Sequence, residues 1–411
     1  MLKYKFSILK IICIFIIAIF LFPTICIASD TIYTWSNSAK PLTETVPTNA
    51  TTSLSLNVGS AVLIEQNSGQ VLYNQNMHEK LRPASVTKVM TILLIMEAID
   101  SGKLSYTDKI PCSEKAAGMG GSQIWLDVRE ELTVDEMLKA ICVVSANDCT
   151  VAMAEYLAGT EEAFVEQMNS KAKALGMNDT TFKNCHGIDE DGHVTSAYDI
   201  ALMSRELLIK HPSITKYTTI YMDSLRDGKS SLVNTNKLVR NYKGATGLKT
   251  GSTSVALYNL SASATRNDLS LIAVIMKAPT SPIRFAEAQK LLDYGFNNFE
   301  YKKLANRNDL IKEVSVDKGI ENSVNAILEN DSGVLIQKGQ NKDIVQSMEL
   351  PDSVSAPVSA GQVLGNVTYS LNGNEIGKVN IVAEKSVGKN TAFNMIEHVF
   401  FNWLSLLRYS K

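Results

Sequence analysis

The sequence predicts a mixed α/β (α+β) fold, in which an antiparallel sheet packs against a cluster of helices, followed by a small all-β domain. Three observations lead to this prediction. Strand-like alternation occurs near residues 61–73 and returns at residues 256–276. Between those regions, apolar residues recur at the spacing of helices. From Leu304 onward, short strand-like runs are separated by Gly and Asn, which is typical of a separate all-β unit.

The first elements are predicted to be a hairpin and a long helix. Ala61–Ile64 and Val71–Tyr73 flank the turn sequence Asn67-Ser68-Gly69. Pro83 begins a helix that ends at Ser101-Gly102. Helical spacing then recurs in Val134–Val144, Asp148–Ala158, Glu161–Leu175 and Ser196–Ile209.

The later elements return to strands. Ala256–Ala264 and Leu269–Met276 predict a second hairpin, and Arg284–Tyr294 predicts a helix. We place the first domain at residues 53–300 and the all-β domain at residues 301–388. Strand-like runs in the all-β domain include Ile311–Val316, Val363–Val367 and Lys378–Val382.

The N-terminus has the layout of a secretory signal peptide at residues 1–28. Three lysines precede an apolar run over residues 11–22, and the small residue Ala28 ends the segment. The alternative is a transmembrane anchor, but the run is shorter than the roughly 20 apolar residues that a bilayer requires. Residues 29–52 are rich in Ser, Thr, Asn and Pro, so we predict a flexible extension there.

The C-terminal segment, residues 389–411, is predicted to be an amphipathic helix. On a helical wheel of Ala392–Leu407, apolar residues fill one half of the circle, with Phe401 alone on the polar half. The segment is too short and too polar to span a membrane, and it is suited to lie in a membrane interface. The alternative is that it packs against its own β-domain.

Composition excludes several classes of function. The formal net charge is −2, so nothing indicates a nucleic-acid partner. The five histidines and six cysteines show no metal-ligand spacing, and we expect no metal and no cofactor. Four cysteines remain after removal of the signal peptide: Cys112, Cys142, Cys149 and Cys185. The sequence leaves open whether Cys142 and Cys149 bond to each other.

The first candidate site motif is Ser85-Val86-Thr87-Lys88. Ser-x-x-Lys occurs six times in the chain and has no value alone. Ser85 differs because Pro83 places it at the start of an apolar helix, where side chains three residues apart share a face. Lys88 can therefore reach the Ser85 hydroxyl. The structural alternative is that Ser85 is an ordinary helix-start residue.

Two further motifs complete the set. Ser145-Ala146-Asn147 is a Ser-x-Asn sequence between two predicted helices, where its alternative role is to cap the second helix. Lys249-Thr250-Gly251, followed by Ser252, occurs once and precedes the second hairpin. Its alternative is an exposed edge strand. Gly247 and Gly251 would permit close backbone approach. Together the motifs supply a nucleophilic hydroxyl, an amine base, a second hydroxyl, an amide and a cation followed by a hydroxyl.

At these positions the chain resembles the serine-type D-alanyl-D-alanine carboxypeptidases, the low-molecular-weight penicillin-binding proteins. The resemblance runs from about Leu54 to Val387 and extends to Gly120-Gly121-Ser122 and Leu175-Gly176-Met177. It implies a penicillin-binding serine transpeptidase/β-lactamase-like catalytic domain, then a small β-rich domain and an amphipathic membrane anchor. The implied protein is exported, extracytoplasmic and peripherally anchored to the outer face of the cytoplasmic membrane.

The resemblance also implies roles. Ser85 would be the nucleophile, Lys88 its base and Ser145 a proton relay, acting on peptidoglycan stem peptides that end in D-Ala-D-Ala. Burial and the charge of Lys249 would lower the pKa of Lys88. The substrate-binding residues would be Asn147, Lys249, Thr250, Gly251 and Ser252. Asn147 would hold the peptide, and Lys249 and Thr250 would bind its terminal carboxylate. The backbone N–H groups of Ser252 and Ser85 would stabilise the oxyanion. β-Lactam antibiotics would be covalent inhibitors.

Two departures and two rivals accompany the resemblance. Ser252 follows the third motif where many members carry His or Phe, and Asn184-Cys185-His186-Gly187 replaces the usual Asn-Pro-His-Gly, which puts local loop shape in doubt. A class A β-lactamase would add a Glu-x-x-Leu-Asn segment, which is absent between Ser145 and Lys249. A non-catalytic penicillin-binding or wall-binding protein would not need every catalytic position that this chain retains.

Overall fold

The structure is a computed structural model that describes residues 54–339, 344–371 and 373–390. The predicted signal peptide, the extension and nearly all of the predicted C-terminal helix lie outside these residues. No helix within the described ranges has the length and apolar character needed to cross a membrane.

The strands of the first part of the chain fall into one large sheet and two small two-stranded sheets. They are β1 (Ser60–Glu65), β2 (Val71–Gln75), β3 (Lys109–Pro111), β4 (Glu131–Thr133), β5 (Met222–Leu225), β6 (Ser230–Val233), β7 (Ala245–Thr253), β8 (Leu257–Arg266) and β9 (Leu269–Ala278). The large sheet is antiparallel, in the order β2-β1-β9-β8-β7. Strands from both ends of the domain therefore meet at its centre, as predicted.

The helices lie mainly between β2 and β7. The α-helices are α1 (Lys88–Asp100), α2 (Glu114–Ala117), α3 (Val134–Val143), α4 (Asn147–Ala158), α5 (Glu161–Ala174), α6 (Ala197–Lys210), α7 (Thr215–Thr218), α8 (Leu238–Asn241) and α9 (Ser281–Asn298), with 3-10 turns at Ala84–Thr87 and Pro212–Ile214. The long helices and both hairpins of the large sheet confirm the predictions to within a few residues. The two-stranded sheets β3–β4 and β5–β6 were not predicted.

The large sheet is buried on both faces. Successive residues of a strand point in opposite directions, so each strand contributes side chains to two cores. Val62 and Ile64 of β1 pack into the helical cluster, together with Val274 of β9. Leu63 of β1 packs on the other face, where α9 contributes Leu291 and Leu292. The period-2 alternation thus assigns one set of side chains to each core.

The all-β part follows α9 directly. Its strands are β10 (Phe299–Ala305), β11 (Leu310–Asp317), β12 (Ser323–Leu328), β13 (Ser332–Gln337), β14 (Ile344–Glu349), β15 (Ser353–Ser355), β16 (Val363–Leu371) and β17 (Asn374–Ala383). Six of them form a sheet in the order β14-β16-β17-β12-β11-β15, and β10 pairs with β13. This part has its own apolar core, which includes Val314, Val367 and Ile381. The boundary that we placed after residue 300 falls inside β10.

The cysteine question has a clear answer in the described residues. Cys112, Cys142, Cys149 and Cys185 are all free and buried. Cys142 lies on α3 and Cys149 on α4, and they are not bonded to each other.

Candidate active site

Ser85 and Lys88 meet where the 3-10 turn Ala84–Thr87 leads into α1. Lys88 is the first residue of α1 and is fully buried. Its Nζ lies 3.2 Å from the Ser85 Oγ, 2.6 Å from the Asn147 Oδ1 and 2.6 Å from the carbonyl oxygen of His186. The amine is therefore surrounded by three polar atoms, and the predicted contact between Ser85 and Lys88 is present.

The pKa of Lys88 is held well below its ordinary value. Burial is the main cause, because it removes water from the charged form, and the positive charge of Lys249 adds to it. Asp148 and Cys185 oppose the shift. The amine is thereby biased toward the neutral form that a general base needs.

Ser145 and Asn147 lie at the junction of α3 and α4. Ser145 has a φ of 67° and is buried, and its Oγ has no hydrogen-bond partner among the described residues. The N-cap of α4 is Ala146, without a side-chain cap, so Ser145 does not cap this helix. The geometry removes the capping alternative and leaves a buried hydroxyl uncommitted.

The Asn147 side chain is held at both ends by the protein. Its Oδ1 accepts from Lys88 Nζ, and its Nδ2 donates to the carbonyl oxygen of Gly120 at 2.7 Å. Its backbone N–H donates to the carbonyl oxygen of Ser122 at 2.7 Å. In this structure Asn147 positions the lysine, a contact that the sequence did not indicate.

Lys249, Thr250, Gly251 and Ser252 lie on β7, the edge strand of the large sheet. The strand is not exposed, because the Ser85 turn covers it. A Cβ atom added at Gly251 would lie 2.8 Å from the backbone nitrogens of both Ser85 and Val86. Glycine is therefore required for this close approach, which brings the Ser85 N–H next to β7.

Lys249 and Thr250 are buried beside this contact. Burial lowers the pKa of Lys249 to about 7, with Cys142 opposing the shift and the positive Arg284 adding to it. Lys249 Nζ donates to the carbonyl oxygen of Thr250 at 2.9 Å. Thr250 Oγ1 lies 2.7 Å from the hydroxyl of Thr235. A buried amine and a hydroxyl thus stand together near Ser85.

The loop Asn184–Gly187 supports the Ser85 turn from the other side. Gly187 has a φ of 92°, and a Cβ atom there would lie 2.0 Å from the carbonyl oxygen of Ala84. Cys185 donates its backbone N–H to Glu161 Oε1 at 3.1 Å, a bond that a proline at this position would lack. Cys185 therefore supplies a backbone hydrogen bond that the family's usual proline could not make.

Several supporting residues escaped the sequence reasoning. Thr235 carries no sequence signal, and Arg284 donates to the carbonyl oxygens of Gly251 and Asn259 at 3.2 Å each. Gly120 belonged to a segment that matched the family pattern, which was the only signal for the loop that binds Asn147. Within the described ranges, no group of three or more His, Cys, Asp or Glu side chains is placed to hold a metal ion.

An antiparallel sheet against a helical cluster, with a serine beside a buried lysine at the sheet edge, defines the class of penicillin-binding serine hydrolases. Residues 46–280 match the family model described as D-alanyl-D-alanine carboxypeptidase, and residues 299–389 match that of the penicillin-binding protein 5 C-terminal domain. The chain belongs to the D-alanyl-D-alanine carboxypeptidase family, which confirms the family and the fold predicted from the motifs.

Characterised relatives agree. The chain is 44% identical over 357 residues to the D-alanyl-D-alanine carboxypeptidase DacF of Bacillus subtilis, covering 86% of this chain and 92% of that protein. It is 35% identical to DacA of Haemophilus influenzae, covering 84% and 88%. The structure is similar to penicillin binding protein 5 from Haemophilus influenzae, with a TM-score of 0.70 and 34% identity over 82% of this chain and 99% of that one. It is also similar to penicillin-binding protein D2 from Listeria monocytogenes in an ampicillin-bound form, with a TM-score of 0.55 and 30% identity over 60% of this chain and 100% of that one.

Proposed function

We propose that this chain removes the terminal D-alanine from peptidoglycan stem pentapeptides through an acyl-enzyme on Ser85, and that β-lactams acylate the same serine. One observation carries the proposal. The Ser85 hydroxyl lies 3.2 Å from the amine of Lys88, a fully buried lysine whose pKa is held well below its ordinary value. That pair is an activated nucleophile with its base.

The three contacts of Lys88 also accommodate a neutral amine. A neutral amine has two N–H donors and one lone pair, whereas an ammonium has three donors. The two short contacts, to Asn147 Oδ1 and the His186 carbonyl at 2.6 Å each, use both donors. The third contact, in which Lys88 Nζ donates to Ser85 Oγ at 3.2 Å, reverses when the amine is neutral, because its lone pair then accepts from the Ser85 hydroxyl.

The reaction proceeds in two halves. Ser85 Oγ bonds to the carbonyl carbon of the penultimate D-alanine while Lys88 takes its proton, and the N–H groups of Ser85 and Ser252 stabilise the oxyanion, each by about 3–4 kcal/mol. The C–N bond then breaks, and the leaving amine receives a proton from Lys88 by way of the uncommitted Ser145 hydroxyl. Water attacks the ester in the second half and regenerates Ser85.

Lys249 and Thr250 recognise the free carboxylate of the substrate. Burial lowers the pKa of Lys249 to about 7. A substrate carboxylate stabilises the charged form, so binding draws a proton onto Lys249. The resulting charge disfavours protonation of Lys88, and carboxylate recognition thereby prepares the base. Asn147 contributes to substrate binding by keeping Lys88 and its neighbouring loop in place.

β-Lactams fit the same scheme. The strained amide of the lactam offers its carbonyl carbon to Ser85, and the opened ring stays attached to the ester, so the leaving group is retained. Listeria monocytogenes penicillin-binding protein D2 has been solved in ampicillin-bound and cefotaxime-bound forms.

The place of action follows from the two ends of the sequence. We propose export by the signal peptide of residues 1–28 and peripheral anchoring to the outer face of the cytoplasmic membrane by residues 389–411. Both segments have the composition of such elements.

Release of free D-alanine from a synthetic pentapeptide tests the proposal. The purified protein should release one D-alanine per peptide and should be inactivated by one equivalent of penicillin. A β-lactamase would instead turn over the penicillin rapidly, and a non-catalytic penicillin-binding protein would bind it without releasing D-alanine from the peptide. Either result would overturn the proposed function.

A further inference from the structure

Trp125 stands out on the surface next to the candidate active site. At 75% exposure it is the most exposed large hydrophobic side chain in the part of the chain that the structure describes. Its immediate neighbours, Ile124 and Leu126, are buried. The segment therefore directs two side chains inward and presents an indole to the solvent.

The backbone of Trp125 adopts a conformation that its side chain disfavours. Its φ is 55°, in the left-handed region that bulky residues rarely enter because the Cβ atom there lies too close to the following carbonyl oxygen. Such a conformation persists only where surrounding contacts impose it, and it is most often found where function requires it.

Two buried or half-buried side chains impose this conformation. The Asp148 carboxylate, fully buried, accepts from the backbone N–H groups of Ile124 and Leu126 at 3.0 and 3.1 Å. From the other side, Arg226 donates to the carbonyl oxygens of Ile124 and Trp125 at 2.9 and 3.2 Å. The indole is oriented as well. The Gln123 amide satisfies its neighbours when its oxygen is assigned to the side that faces the indole. In that orientation the oxygen accepts a hydrogen bond from Trp125 Nε1 at 3.2 Å.

The same segment is bonded to the site through Asn147, whose partners include Gly120 O, Ser122 O and Lys88 Nζ. Trp125 is three residues beyond Ser122, so its Cα lies within about 11 Å of the Ser122 Cα. The Ser85 turn contacts β7 through Gly251 and the Asn147 segment through Lys88. The Asn147 segment therefore borders the cleft beside Ser85, where it is open to a peptide whose carboxylate lies at Lys249 and whose scissile carbonyl lies at Ser85.

We propose that Trp125 is a specificity-determining residue that binds the side chain of the stem-peptide residue preceding the D-Ala-D-Ala pair, a long aliphatic chain that ends in an amine. The inference rests on the proposed function. An indole face attracts both methylene groups and a cation. The exposed carboxylates of Asp127 and Glu131 outnumber the one exposed cation of the segment, Arg129, so the local charge also favours an amine.

Matched peptides test the proposal. Acetyl-L-Lys-D-Ala-D-Ala and acetyl-L-Ala-D-Ala-D-Ala differ only in the side chain in question. The wild type should prefer the lysine peptide, and Trp125→Ala should reduce the ratio of the two kcat/KM values about fivefold, as expected for a lost cation–π contact. Val128→Ala, which shortens another exposed side chain of the same segment, should leave the ratio unchanged.

A stability measurement separates recognition from structure. Asparagine tolerates the left-handed region better than tryptophan does, so Trp125→Asn should keep or raise the Tm while it lowers the ratio. A lowered Tm with equal losses on both peptides would mean that Trp125 is structural, and would overturn the inference.

The remaining outcomes are also distinct. An unchanged ratio in Trp125→Ala, with normal release of D-alanine, overturns the inference alone. A disaccharide-linked pentapeptide compared with the free pentapeptide provides another arm, and a Trp125 effect confined to the disaccharide form would assign the indole to the sugar instead. Absence of D-alanine release by the wild type from every peptide would overturn the proposed function, and the inference with it.

Discussion

Two buried amines, those of Lys88 and Lys249, define the cleft at the scale of single residues. Each has a pKa below its ordinary value because it is buried, and the charge of Lys249 lowers that of Lys88 further. The contact of Lys88 with Ser85 was predictable, since residues three apart share a helix face. Its contacts with Asn147 and His186 were not, because they join residues 59 and 98 positions apart in the chain.

Replacement of the nucleophile is the first prediction at this scale. Ser85→Ala should abolish covalent labelling by fluorescent penicillin and reduce turnover by about 10⁶, since the acyl-enzyme needs the hydroxyl. Ser213→Ala is a matched control, because Ser213 begins another Ser-x-x-Lys sequence and is exposed in the 3-10 turn Pro212–Ile214. Labelling of the Ser85→Ala protein would disprove the assignment.

Removal of the second amine gives the next prediction. Lys249→Ala should raise the pKa of Lys88, because a positive charge that disfavours its protonation is lost. Lys88 must be neutral to act, so the acidic limb of the kcat/KM profile should move to higher pH. The wild type should cleave an amidated peptide roughly ten- to a hundredfold more slowly than the free acid, and Lys249→Ala should narrow that gap. Equal wild-type rates on acid and amide would contradict the assignment of Lys249 and Thr250.

At the scale of elements, the cleft depends on how closely three segments approach one another. Strand β7 reaches the Ser85 turn at Gly251, and the Asn184–Gly187 loop reaches it at Gly187. The need for a close approach at Gly251 was predictable from its place in a strand. The role of Gly187 was not, since it depends on the position of Ala84, which is distant in sequence.

An added methyl group at the strand contact tests this dependence. Gly251→Ala should push β7 away from the Ser85 backbone and misplace the oxyanion donors, which should slow acylation by penicillin about a hundredfold or more. Ser254 is exposed in the turn that joins β7 to β8. As a control, the Ser254→Ala protein should be acylated by penicillin at the wild-type rate. Rapid acylation of a folded Gly251→Ala protein would show that the donors do not require this packing.

At the scale of the whole molecule, the order of helices and strands was largely predictable and the smaller strands were not. The runs in β1 and β9 are strongly apolar, and β8 alternates between apolar and polar residues, which explains why these strands were recognisable. The two-stranded sheets β3–β4 and β5–β6 have three or four residues per strand, and many of those residues are exposed. Their sequences therefore lack the apolar periodicity that identifies a strand. The strand order also depends on pairing between β1 and β9, which no local pattern encodes.

Truncation of the C-terminal segment is the prediction at this scale. Deletion of residues 390–411 should release the protein from membranes while leaving activity on a soluble peptide intact, because the apolar half of the predicted helix supplies the attachment. High salt should remove little of the full-length protein, since the polar half is only weakly basic. Fractionation that finds the truncated protein still on membranes would contradict the proposed anchor.

The four buried free thiols can be used to measure local unfolding of the folded protein. Burial raises the pKa of Cys142 to about 12 and holds those of Cys149 and Cys185 well above the ordinary value. Only an exposed thiolate reacts with an alkylating reagent, so each cysteine is modified at the rate at which its surroundings open. Cys185 sits in the loop behind the Ser85 turn and Cys149 in α4. Their alkylation rates, compared before and after acylation by penicillin, would therefore measure how strongly an occupied cleft suppresses local unfolding.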